Sequence, residues 1–143
     1  MTRLETKCRR YENYTYLRYR NAEKCMIWFD DTVNYLVALK SCQEKGALLG
    51  TFKTLSEISL LRQFAKESLW VGLDKIDKPA FTWVDDGKPV HNFSFYFPDY
   101  PASNMKNLFD CTEYMLMVYR FKFNDQNCFL DAPYICEIRL NLN

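Results

Sequence analysis

The stretch Phe123–Glu137, FNDQNCFLDAPYICE, holds the densest chemistry in the chain: two cysteines, an Asn-Asp pair and a Pro-Tyr step. Asn124 and Asp125 set an amide oxygen beside a carboxylate, and any metal they help to hold needs further ligands from upstream. The six cysteines, Cys8, Cys25, Cys42, Cys111, Cys128 and Cys136, form no CxxC pair, and His91 is the sole histidine. That composition argues against a Cys/His zinc site and for a disulfide framework, hence an oxidising compartment. Six cysteines allow about 15 pairings, so spacing leaves the connectivity open. Catalysis finds no support. His91 has no partner, no Ser or Cys nucleophile has a base nearby, and four glycines make no phosphate-binding loop. Asp30-Asp31 and Asp85-Asp86 read as caps and turns.

Length and charge narrow the classes. The 143 residues suit one domain, 1–143, with a core from about 8 to 138, and 48% hydrophobic residues exclude general disorder. Net charge is +1, which supplies no field to draw nucleic acid or an anionic membrane. The run Lys7–Arg10 is basic, but acidic residues flank it and it reads as solvated surface. No apolar run approaches the roughly 20 residues of a membrane span, and the first ten residues lack the apolar core of a signal peptide. Two sequons, Asn13-Tyr-Thr15 and Asn92-Phe-Ser94, agree with export.

The elements that must position these groups follow from local pattern. Tyr11–Tyr19 alternates aromatic and polar residues, as a short strand or hairpin does. Met26–Phe29 reads as a strand, with Asp30-Asp31 capping a helix whose apolar face is Val33, Leu36, Val37 and Leu39 and which runs to about Lys45, with Gly46 as its stop. Ala47–Phe52 is a short buried link. Thr54-Leu-Ser-Glu57 is a capping box opening a second helix over about 55–66. Leu69–Leu73 and Phe81–Val84 read as strands, the second closed by Asp85-Asp86-Gly87. From Gly87 to Phe109 three prolines and a cluster of aromatics leave no regular element, and a connection of that length points to function. Strands resume at Cys111–Arg120, Phe121–Phe123 and Pro133–Leu140, with Asn124-Asp125 as a capped turn.

In order along the chain, KCMIWF with the following helix to Cys42, KGALLGTF, Leu69-Trp-Val-Gly-Leu73, FTWVDDGKPV, Phe109-Asp-Cys111, Phe123-Asn-Asp125 and Tyr134-Ile-Cys-Glu137 form a set of landmarks. With them the sequence resembles the C-type lectin-like domain, from about Cys8 to Ile138. The resemblance implies an α+β fold with two helices, two small antiparallel sheets and a long irregular loop. It implies the bridges Cys42–Cys136 and Cys111–Cys128, with Cys8–Cys25 as the N-terminal bridge of the long form.

In sugar-binding members of that family a calcium ion at the long loop takes ligands from a Glu-Pro-Asn triplet, a Glu before the Asp-Cys, and an Asn-Asp pair. Here Asn124 and Asp125 match the pair, Tyr100-Pro101-Ala102 stands at the triplet and Phe109 replaces the Glu. Three oxygen ligands are lost, two of them carboxylates, from an ion that takes about 6–8 oxygens. Asp99, Ser103, Asn104 and Asp110 are near enough in sequence to compensate in a shifted loop. Pro101 stands where the family has a cis peptide. The expectation is therefore a non-catalytic recognition domain, secreted or cut from a membrane protein's ectodomain. It would bind a protein or a glycan through Phe95, Tyr96, Asp99, Tyr100 and Asn104 with no cofactor required. A calcium-dependent lectin with a rearranged site is the alternative, a structural matrix or surface-binding component is a third class, and a homodimer is left open. Asn13 and Asn92 are the glycosylation candidates.

Overall fold

The computed structural model describes residues 1–90, 110–115 and 122–141. Helix α1 (Arg3–Cys8) is followed by strands β1 (Thr15–Tyr19) and β2 (Ala22–Val33), helix α2 (Tyr35–Glu44), β3 (Leu48–Leu49) and helix α3 (Leu55–Phe64). Strands β4 (Leu69–Asp74), β5 (Thr82–Trp83), β6 (Cys111–Met115), β7 (Lys122–Gln126) and β8 (Ala132–Ile138) complete the described chain. Two antiparallel ladders are present, as expected. One joins β1, β2, β8 and β3; the other joins β5, β4, β6 and β7. A single parallel pairing, Trp70 with Tyr134, fuses them into one mixed sheet of order β1-β2-β8-β4-β6-β7.

Local sequence explains several elements directly. Thr54 accepts from the Glu57 amide while the Glu57 carboxylate accepts from the Thr54 amide, so the capping box at α3 is complete. Gly46, at φ 71°, takes the left-handed turn that stops α2. Every residue of β4 is buried. Gly72 is required there, because a Cβ would lie 2.6 Å from both the Leu49 carbonyl oxygen and a Val84 methyl.

Three expectations are corrected. Asp30 and Asp31 do not cap the first long helix; they lie inside β2, which continues through a bulge between Phe29 and Val33 because β8 offers pairing partners as far as Ala132. The cap is Asn34, whose Oδ1 accepts from the Val37 amide at 3.0 Å. The buried face of α2 is Tyr35, Ala38 and Cys42, while Leu36 and Val37 stand about half exposed, so the face is rotated from the one the apolar pattern suggests. Finally, α1 forms where no helix is expected, opened by Thr2 as its cap and held by the Cys8–Cys25 bridge.

The bridges pair as the resemblance implies: Cys8–Cys25, Cys42–Cys136 and Cys111–Cys128, leaving no free cysteine. The interior divides into two clusters. One gathers Met26, Phe52, Leu60, Leu61, Val71, Phe123 and Ile135; the other surrounds Tyr35, Trp70 and the bridges. Trp70 joins them to β2 by donating its indole N–H to the Val33 carbonyl at 2.8 Å.

Candidate functional site

The β6–β7 hairpin carries the two candidate metal-binding residues. Its register sets Cys111 opposite Gln126, Thr112 opposite Asp125 and Glu113 opposite Asn124. Cys111–Cys128 clamps the end of this ladder, and Phe123 seats it in the core, edge-on to Trp83 at 6.3 Å. Asn124-Asp125 is therefore mid-strand rather than the turn expected from its composition. Strand periodicity sends adjacent side chains to opposite faces. Phe123, 0% exposed, and Asp125, 2% exposed, share the inward face; Asn124 and Gln126 share the other with Glu113.

That second face is a small polar cluster. Gln126 donates its Nε2–H to Glu113 Oε1 at 3.2 Å. Burial pushes the Glu113 carboxyl above the usual carboxylate range, and the hydrogen bond from Gln126 only partly offsets it. Asn124 Oδ1 is buried and has no hydrogen-bond partner among the described residues. An unsatisfied buried acceptor costs about 1–3 kcal/mol.

The Lectin C-type domain model matches residues 31–138. The chain belongs to the C-type lectin domain family. It is 28% identical over 118 residues to C-type lectin domain family 4 member E of Mus musculus, covering 80% of this chain and 55% of that protein. The chain thus spans about half the length of that relative. Among solved structures it superposes on the cow C-type carbohydrate-recognition domain of CD23, determined with a GlcNAc2Man3 oligosaccharide. The TM-score is 0.73 at 21% identity, covering 90% of this chain and 94% of the other. A calcium-independent type II antifreeze protein gives a TM-score of 0.69 at 20% identity, covering 90% and 92%.

Within this C-type lectin domain the described residues do not make a calcium site. Asn124 supplies one neutral oxygen, its face adds only the Glu113 carboxylate, and Asp125 points to the opposite face. No group of three His, Cys, Asp or Glu side chains able to hold a metal occurs among the described residues. Asp110, 9% exposed, sits at the start of the hairpin, where its carbonyl accepts from the Lys75 amide at 2.8 Å. The loop candidates Phe95, Tyr96, Asp99, Tyr100 and Asn104, with Asn92, Pro101, Ala102, Ser103 and Phe109, lie outside the described residues. Asn13 is exposed in the turn before β1, at φ 70°.

Sequence reasoning missed Glu113. A lone glutamate in a strand pattern carries no signal of its own, and only the register that sets it across from Asn124 gives it a place in the site.

Proposed function

We propose that this domain is an extracellular, non-catalytic recognition module that binds a protein or glycan ligand without calcium. The contact surface would be the 87–109 loop together with the Asn124 face of the β6–β7 hairpin. The observation that carries this reading is the Asn124 side chain: among the described residues its buried oxygen is unpartnered, and beside it they offer only the Glu113 carboxylate. A ligand N–H or O–H would satisfy that oxygen directly. The three disulfides support an oxidising compartment, and the exposed Asn13 sequon supports N-glycosylation there. The fold accommodates both chemistries, since its neighbours include an oligosaccharide-bound recognition domain and an antifreeze protein described as calcium-independent.

Calcium titration followed by thermal melting tests the proposal. The expected outcome is no change in Tm at millimolar calcium, with glycan-array or partner binding equally strong in chelator. A ligand held by the folded state alone raises Tm; a rise of several degrees that vanishes in Asn124→Ala would establish the calcium-dependent alternative. Tyr96→Ala and Tyr100→Ala variants that keep full binding would remove the loop from the contact surface.

A further inference from the structure

A second surface with its own chemistry lies at the other end of β8, roughly 23 Å along the strand from its start near Ala132. Arg3, Lys7 and Arg10 follow one another at i, i+4 and i+7, so α1 and the turn after it stack three cations on one face. With Met1, Thr6, Tyr11 and Leu140 they line an open cleft of about 580 Å³, and among the described residues no acidic side chain lines it. Two nearby carboxylates are occupied elsewhere. Glu5 faces Arg9 at 3.5 Å, and Glu23 accepts from the hydroxyls of Thr2 and Tyr16, each at 2.6 Å. Arg3 and Arg10 are exposed, and neither has a carboxylate within ion-pairing distance among the described residues.

The backbone beneath the cleft is tied down. Cys8–Cys25 ties α1 to β2, the Lys7 ammonium donates to the carbonyl oxygens of Arg139 and Leu140, and Tyr11 packs edge-on against Tyr14 at 5.8 Å.

We propose that this cleft binds a sulfated polysaccharide. A row of three cations along α1 and the turn after it matches a linear polymer bearing repeated oxyanions rather than one isolated carboxylate. The two guanidinium forks suit bidentate contact with such groups. The whole chain carries a charge of only +1, which supplies no broad basic face for duplex nucleic acid or a membrane and leaves a short, matched row of contacts as the means of capture. The cleft shares no lining residue with the hairpin or with the 87–109 stretch, so its test is separate from that of the recognition surface proposed above.

The test uses the whole domain on immobilised heparin, with desulfated heparin and polyglutamate as competitors. Wild type should be retained at about 0.15 M salt, with log affinity falling against log salt at a slope of about −2 to −3 for three contacts. Arg3→Glu/Arg10→Glu should bind at least about tenfold more weakly, while the equally charged control Lys40→Glu/Lys66→Glu, at exposed positions outside both surfaces, should stay within about twofold, since each further contact is charge-assisted. Circular dichroism and Tm verify folding. The milder Arg10→Gln, outside the helix proper, should weaken binding about threefold and shallow the slope by about 1. Absence of retention, equal binding by the double variant, or competition by polyglutamate as strong as by heparin would each overturn the proposal, the last by favouring an acidic protein segment.

Discussion

A single carboxylate, that of Glu137, gathers partners from two distant segments and from the residue two places on. It is fully buried and accepts from Lys24 Nζ at 2.8 Å, from the Thr51 amide at 3.2 Å and from Arg139 Nε. Burial alone would raise its pKa, but the Lys24 and Arg139 charges and hydrogen bonds outweigh that and hold it below the usual carboxylate range. A carboxyl whose folded pKa lies below its unfolded value, about 4.3, contributes stability that is fully present above that value and is lost as pH falls toward the folded pKa. Wild-type Tm should therefore drop as pH goes below about 4, and Glu137→Gln should lack that part of the drop. At pH 7 the same variant should lose about 3 kcal/mol or more in chemical denaturation, because Lys24, 3% exposed, keeps its burial and loses its closest counter-charge. A loss under about 1 kcal/mol would show that Glu57, 3.4 Å from Lys24, replaces it. In sequence Glu137 is only the end of a motif. Its partner is 113 residues away and meets it because β2 pairs with β8.

At the scale of elements, legibility tracks how local the deciding contact is. The α3 capping box closes within four residues, and the sequence shows it plainly. The start of α2 does not, because Asp30, Asp31 and Asn34 are all good caps by type; pairing with β8 extends β2 and passes the role to Asn34. Asn34→Ala should cost about 1 kcal/mol in urea unfolding, whereas Asp31→Ala, on an exposed strand position, should stay within about 0.5 kcal/mol. Equal losses would return Asp31 to the cap. The same limit applies to the face of α2. Leu36 and Val37 fit an apolar stripe, but Tyr35 and Cys42 are anchored by Asp74, 2.6 Å from the Tyr35 hydroxyl, and by Cys136, and these turn the helix.

For the whole molecule the bridges differ in reach. Cys42–Cys136 spans 94 residues and joins α2 to β8, while Cys8–Cys25 spans 17. Loop-closure entropy scales with the logarithm of loop length, so removing the long bridge by paired Cys→Ala should cost about 1.5 kcal/mol more than removing the short one. Denaturation of the two double variants checks this, and a smaller loss for the long bridge would contradict it. The chain by itself determined the disulfide-bonded class, the ordered landmarks of the C-type lectin domain, the buried LWVGL strand and the capping box. These rest on residue types and on contacts near in sequence. Tertiary structure decided the length of β2, the face of α2, the single pairing of Trp70 with Tyr134 that joins the two ladders, and the separation of Asn124 from Asp125 onto opposite faces of β7. Each depends on which strand lies across from it, and strand pairing is set by burial across the whole sheet rather than by neighbours in the chain.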